Sequence, residues 1–422
     1  MRVLLASWGS QGDFYPFLAL GRSLQLRGHQ VTLVGNPAWA EKSREAGLGF
    51  RPSFTEEDQD VLRRHPEMID NRWMGLRSLY YMMNKGIVPV LSSTFHALLD
   101  EASRHDLLVA HHFVFPAGMV HETTRIPWVT VCLAPGVTPS AWSQPAASWS
   151  PTPNGPMHRW AIRMGWEVGN FLIRPLVDQP LNEFRKSKGM SPRSDHFFGS
   201  RSKDLVLHLY STHFAEKPPD WDLRHILSGF CHTDFGKNYE PTPELISFLM
   251  RGNKPLLFTL GTTVIEHPRE FFIEAVEAIR GTTHRAILLT GKEENHPDRL
   301  PANILAVPYA PHDWLMPQCM AVAHQCGIGT AAEALRAGIP SVCCPHAFDQ
   351  PNNAARLHEL GVAVVLKTNE HQASILRRAF TNLLTSDAPG KARLLSGKLK
   401  AEDGCTNASA ALEQFHTNKI YP

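Results

Sequence analysis

Along the first third of the chain, short apolar runs of strand length alternate with stretches whose apolar positions recur at helical spacing. Val3 to Ser7, Gln30 to Val34, Leu107 to Ala110 and Trp128 to Cys132 are the runs, and Phe17 to Leu26 is the first helical stretch. Strand, helix and strand in that order make the β-α-β rhythm of a parallel sheet. The rhythm restarts after residue 240, where Leu256 to Leu260, Ala286 to Thr290, Ile304 to Val307, Ala321 to His324 and Ser341 to Cys344 predict strands. Ala331 to Ala337 and Asn352 to Leu360 predict helices between them. The pattern therefore predicts an α/β protein of two Rossmann-like, doubly wound parallel-sheet domains, 1–235 and 240–400, with a linker near "HTDFGKNYEPTP" at 232–243. A C-terminal helix and tail at 401–422 follow and are expected to pack back on the first domain.

Two stretches stand outside this rhythm. "PGVTPSAWSQPAASWSPTPNGPMHRW", residues 135–160, is so rich in Pro and Ser that it reads as a loop, and it carries Trp142 and Trp149. A long loop at the carboxyl end of a parallel strand builds a binding site or simply packs on the surface. "WMGLRSLYYMMNKG", residues 73–86, offers aromatic and Met side chains to an apolar acceptor pocket, and core packing of a long helix accounts for Leu76 to Met83 equally well.

Composition narrows the class of partner. With 422 residues, 43% hydrophobic and 19% charged, the chain can bury a sizeable core. A net charge of +2 from 42 basic and 40 acidic residues gives no basic field, so nucleic acid is not an expected partner. The opening residues lack a secretory apolar run and no later segment stays apolar long enough to span a bilayer. A cytoplasmic location is the expectation, with at most transient membrane association; the oligomeric state is not legible. Seven cysteines without C-x-x-C spacing disfavour a disulfide framework and a zinc site, and none of the 22 histidines falls in an H-E-x-x-H pattern. No metal is expected.

The candidate chemistry lies at two glycine turns. After the first strand, Gly9-Ser10-Gln11-Gly12 departs from the dinucleotide fingerprint, because Gln11 and Phe14 stand at its second and third glycine positions. The second strand ends in Val34-Gly35-Asn36, without an acidic residue to hold a ribose. Asp13 sits where it would repel phosphate; at a helix start it reads either as a simple cap or as a functional carboxylate. The second turn, Gly327-Ile328-Gly329-Thr330, follows the strand ending at His324 and opens a helix. Backbone N–H groups there, with the Thr330 hydroxyl, can cradle a diphosphate. Some twenty residues on, Asp349 and Gln350 are suited to sugar hydroxyls.

The stretch from Tyr309 to Gln350 resembles the nucleotide-sugar signature of family 1 glycosyltransferases with the GT-B fold. "GSQGDFYPFLALGRSLQLRGHQVTL" is similar to that family's N-terminal acceptor-domain motif, and "PLLFTLGTT" at 255–263 is a third point of likeness. The layout, including "RGHQVTL" and "DQPNNAARL", is most similar to bacterial enzymes of the sterol-glucosyltransferase and rhamnolipid-rhamnosyltransferase type. The resemblance implies two domains facing across a cleft and an inverting, metal-independent sugar transfer without a cofactor. The donor would be a nucleoside-diphosphate sugar such as dTDP-rhamnose or UDP-glucose, and the acceptor an apolar molecule such as a flavonoid, sterol or hydroxy fatty acid. It further implies that Asp13 is the general base, with His111 and His112 lining the acceptor side. Tyr309 would stack on the nucleobase, Gly261, Thr262, Gly327, Gly329 and Thr330 would hold the diphosphate, and Asp349 and Gln350 would read the sugar. Gln325 stands where the family usually has His, which shifts leaving-group stabilisation to the helix start and hydroxyls and points to a deoxysugar donor. A nucleotide-sugar epimerase of the same fold and a non-catalytic lipid binder are the alternatives.

Overall fold

The computed structural model describes residues 1–55, 65, 67, 75–145, 155–261, 268, 270–367 and 370–420. The chain divides into two compact units. The first takes Met1–Pro145, the segment that runs to His232, and the stretch from Asp403 onward; the second takes Thr233–Glu402.

The first unit holds a seven-stranded, all-parallel sheet of β1 (Arg2–Ser7), β2 (Gln30–Gly35), β3 (Gly49–Pro52), β4 (Leu107–His111), β5 (Trp128–Cys132), β6 (Val206–His208) and β7 (His225–Leu227). The spatial order is β3-β2-β1-β4-β5-β6-β7. Every residue of β4 and β5 is buried, as strands covered on both faces by crossover helices must be. The second unit holds β8 (Leu256–Thr259), β9 (Ala286–Leu289), β10 (Ile304–Val307), β11 (Ala321–His324), β12 (Ser341–Cys343) and β13 (Ala363–Val365), again all parallel, in the order β10-β9-β8-β11-β12-β13. In each sheet the winding reverses once, between β1 and β4 and between β8 and β11. Ligands of doubly wound folds bind beyond the carboxyl ends of the strands at that reversal.

Several sequence expectations shift. The first helix, α1 (Gln11–Leu26), begins six residues before Phe17 and runs through Pro16. Proline has no N–H for the Gly12 carbonyl, but the buried face of Phe14, Phe17, Leu18 and Leu20 carries the helix past that lost bond. The 135–160 loop extends too far: α2 (Pro156–Ser187) starts at Pro156, a residue whose fixed φ suits a first helical position. Ile162, Trp166, Asn170, Val177 and Leu181 give α2 its buried stripe. Met83, read as a pocket or core residue, is fully buried in the first unit's core, while Tyr80 is exposed. The helix that follows the second glycine turn, α3 (Ile328–Ala337), and α4 (Gln350–Glu359) each start two to three residues earlier than their apolar spacing suggests.

The last helix, α5 (Gly404–Ile420), belongs to the first unit and packs on α1. The Ser23 and Ser409 hydroxyls lie 2.9 Å apart, and Glu413 accepts from Arg27 Nε at 2.8 Å and lies 2.8 Å from His29 Nε2. The Arg27 hydrogen bond holds the Glu413 carboxyl down at about 2. Among the described residues, no helix is long and apolar enough to cross a membrane.

Candidate active site

In the first unit the reversal point carries a carboxylate and two imidazoles. β1 ends at Ser7, the chain turns through Gly9 at φ +97°, and Ser10 caps α1. Asp13 occupies the third helical position, where its Oδ2 accepts from the Ser10 N–H at 2.9 Å and the Ser10 hydroxyl at 3.2 Å. A Cβ at Gly9 would lie 2.3 Å from that oxygen, so both the left-handed backbone and the space demand glycine. The sequence signals this capping box through Ser10-x-x-Asp13. Capping fixes the carboxylate's direction. Asp13 Oδ1 lies 3.9 Å from His111 Nε2, with the aspartate side chain 34% exposed and the histidine 3%.

Burial holds His111 down at about 3, so at neutral pH the contact is a carboxylate beside a neutral imidazole. His112, next along from the end of β4, is pushed well below the ordinary histidine value, first by burial and then by its neighbour His111. The two rings lie 4.3 Å apart. His111 Nδ1 and both nitrogens of His112 are buried with no hydrogen-bond partner among the described residues. Buried polar atoms are normally satisfied, so three orphans at one reversal point are an unusual concentration. Trp142 is 37% exposed and has the Arg159 guanidinium over its ring at 4.3 Å. Trp149 and Thr262 lie outside the described residues.

In the second unit the reversal point is built from backbone. Gly261 follows β8 and Gly327 precedes α3, and the Gln325 carboxamide fills the notch between them: a Cβ on Gly261 would lie 1.9 Å from Gln325 Nε2, and one on Gly327 2.9 Å from it. Gln325 Oε1 is buried with no partner among the described residues. Gly327 offers no side-chain cap, and the N–H groups of Gly329 and Thr330 precede the first carbonyl their helix can provide. Thr330 is buried one turn inside. Asp349 accepts from the Ile328 N–H and from Asn353 Nδ2, the latter at 2.7 Å, while burial pushes its carboxyl up. Gln350 accepts at its carboxamide oxygen from the N–H groups of His346 and Ala347, at 2.8 and 3.1 Å. Tyr309, beyond β10, is 46% exposed; Tyr239 donates its hydroxyl to the Tyr309 carbonyl at 3.1 Å and sets its ring edge-on at 6.4 Å.

Asn353 was not legible as a site residue. Fully buried on α4, it donates to the Cys326 carbonyl at 3.0 Å as well as to Asp349, and so ties the glycine turn to the loop after β12. Its spacing of four from Asp349 on one helix face was the available signal. Cys326 adopts a left-handed backbone, φ +67°, directly before Gly327, and shares a buried corner with His324 and Cys343.

Residues 3–137 match the glycosyltransferase family 28 N-terminal domain, and residues 279–408 match the erythromycin biosynthesis protein CIII-like, C-terminal domain. Over 98% of its length the chain is 33% identical to the O-mycaminosyltylonolide 6-deoxyallosyltransferase of Streptomyces fradiae, 97% of which is covered. The chain belongs to the GT-B glycosyltransferases. It is also 26% identical to a sterol 3-beta-glucosyltransferase of Arabidopsis thaliana, over 97% of this chain and 65% of the plant protein. Among solved structures, a spinosyn rhamnosyltransferase complexed with thymidine diphosphate superposes with a TM-score of 0.68 at 16% identity, covering 98% of this chain and all of that one. This glycosyltransferase thus shares a two-domain architecture with enzymes that differ in both sugar and acceptor.

Proposed function

We propose that this glycosyltransferase transfers a deoxysugar from a thymidine-diphosphate sugar to a hydroxyl of an apolar polycyclic or macrocyclic acceptor, with inversion at the anomeric carbon. The observation that carries the reading is Asp13, whose Oδ2 accepts from Ser10 at the start of α1 and whose Oδ1 lies 3.9 Å from Nε2 of neutral His111. Oδ1 takes the proton of the acceptor hydroxyl as its oxygen attacks the anomeric carbon in line. The neutral His111 nitrogen receives a hydrogen bond from the carboxylic acid so formed, which eases the proton onto a group that is a weak base on its own. His111 and His112 also present the orphaned nitrogens to which acceptor hydroxyls or carbonyls bind. The diphosphate leaves onto the start of α3, where the Gly329 and Thr330 N–H groups, the Thr330 hydroxyl and the Gln325 amide meet the developing charge. Tyr309 stacks on the base, and Asp349 and Gln350 read the sugar.

The donor class is supported by the 6-deoxyallosyltransferase relative and by the thymidine diphosphate bound in the structural neighbour. The acceptor class is supported by the macrolide-derivative and sterol acceptors named in the relatives. The relatives are transferases, and the epimerase reading has no support.

The test is product mass after incubating the purified protein with dTDP-rhamnose and UDP-glucose together over macrolide aglycones, sterols, flavonoids and hydroxy fatty acids. A deoxyhexose adduct on a polycyclic or macrocyclic acceptor is expected. A hexose adduct would overturn the donor assignment, and an adduct confined to a linear fatty acid would overturn the acceptor class.

A further inference from the structure

We infer that the carboxyl ends of β11 and β12 form a soft-metal site, in which His324, Cys326 and Cys343 bind a divalent ion of the zinc class. One ligand atom from each residue lies within 4.8 Å of the other two, and all three residues are fully buried. Two sulfurs and one imidazole nitrogen match a tetrahedral zinc site with three protein ligands and one open position. Charge also favours the assignment: a dication with two thiolates is neutral, so the filled site leaves no net charge in the interior. Both thiol protons pass to solvent as the metal binds.

The site connects to the glycine turn through one hydrogen bond. Cys326 N–H donates to His324 Nδ1 at 3.1 Å, while Nε2 has no partner among the described residues. A metal on Nδ1 replaces that bond; a metal on Nε2 moves the ring proton to Nδ1, where it meets the Cys326 N–H. Either way the Cys326 N–H loses this partner at the left-handed residue ahead of Gly327, and the Gln325–Gly327 notch shifts with it. Metal occupancy therefore weakens binding at the start of α3, a consequence that rests on the diphosphate reading above.

Titration of the full-length protein with cobalt(II) tests the site without any sugar donor. The expected result is one ion per chain, with thiolate-to-cobalt charge-transfer bands and the intense d–d bands of a tetrahedral centre, both displaced by zinc. Cys326→Gly, which suits the left-handed backbone, and Cys343→Ser each weaken binding at least about tenfold. Cys405→Ser, outside the cluster, leaves it unchanged. Absent or octahedral bands, or tetrahedral bands that persist in Cys326→Gly, would overturn the site. With the bands in place, zinc should weaken thymidine diphosphate binding in wild type about tenfold and leave Cys326→Gly unaffected; an unchanged affinity in wild type would overturn the coupling.

Discussion

At the reversal point of the first sheet the chain sets a carboxylate beside two neutral imidazoles, and at the corresponding point of the second it sets two glycines, a carboxamide and a helix start. The strand order about each point is the same. The difference lies in how each following helix begins. α1 is capped from within, because the Asp13 carboxylate already accepts from the Ser10 N–H and hydroxyl. On the proposed function the phosphate belongs to α3, so an aspartate at the start of α1 is no obstacle to it. α3 begins at glycine, with no side chain of its own to close it. On the proposed function, one topology would serve as a proton-accepting site in one unit and an anion-accepting site in the other, according to which residue stands within three positions of the turn.

The sharpest way to break this division of labour is Asp13→Asn. The amide keeps the shape but accepts no proton, so turnover should fall by about two to four orders of magnitude, measured as product formed per enzyme at saturating donor. Near-normal turnover would remove Asp13 from the role of base. Gly261→Ala acts on the other unit. Its new methyl group meets Gln325 Nε2, displaces the carboxamide from the notch, and should cost about 1–3 kcal/mol of donor affinity, roughly five- to 150-fold in Kd by calorimetry. An unchanged Kd would mean that the notch takes no phosphate.

His111→Phe sharpens the comparison within the first unit. Phenylalanine fills the buried volume but removes the nitrogen beside Asp13, so kcat should drop about tenfold while KM for donor holds. Because His111 stays neutral until about pH 3, the acid limb of the wild-type kcat/KM profile should show no inflection at the ordinary histidine value. An inflection there that vanishes in His111→Phe would make the imidazole the base instead. The smallest effect belongs to Glu413→Ala, which frees α5 from Arg27 and His29. These partners are partly exposed, so the loss should stay under about 1 kcal/mol in a denaturant midpoint. Glu413 is more acidic folded than unfolded, 4.5 being its ordinary value, so its contribution is fully present above about 4.5 and disappears as pH falls toward about 2. A difference between wild type and variant that grew on acidification would contradict it.

The sheets were legible where a strand's interior was dominated by apolar residues. β1, β2, β4, β5, β8, β9, β10, β11 and β12 read within one residue of their ends, because burial of these strands keeps polar residues few along the run. β6, β7 and β13 are three residues long and β3 ends in Arg51-Pro52, too short or too mixed to separate from loop. Helix starts were hidden by the residues that make them, Gly12 and Pro16 in α1, Pro156 in α2 and Gly329 in α3, which read as breakers when only spacing is counted. At the site, residue types on one strand end or one turn were legible. The Gln325 carboxamide between two glycines distant in sequence, and Asn353 tying Cys326 to Asp349, follow from sheet topology, which places neighbouring strand ends together without any local sign.

The most direct test of the division between the two reversal points is calorimetric titration of thymidine diphosphate into Asp13→Asn. If Asp13 serves the acceptor and α3 serves the donor, the Kd equals that of wild type while product formation is lost. A Kd weakened as far as that of Gly261→Ala would place Asp13 in the donor site and contradict the account.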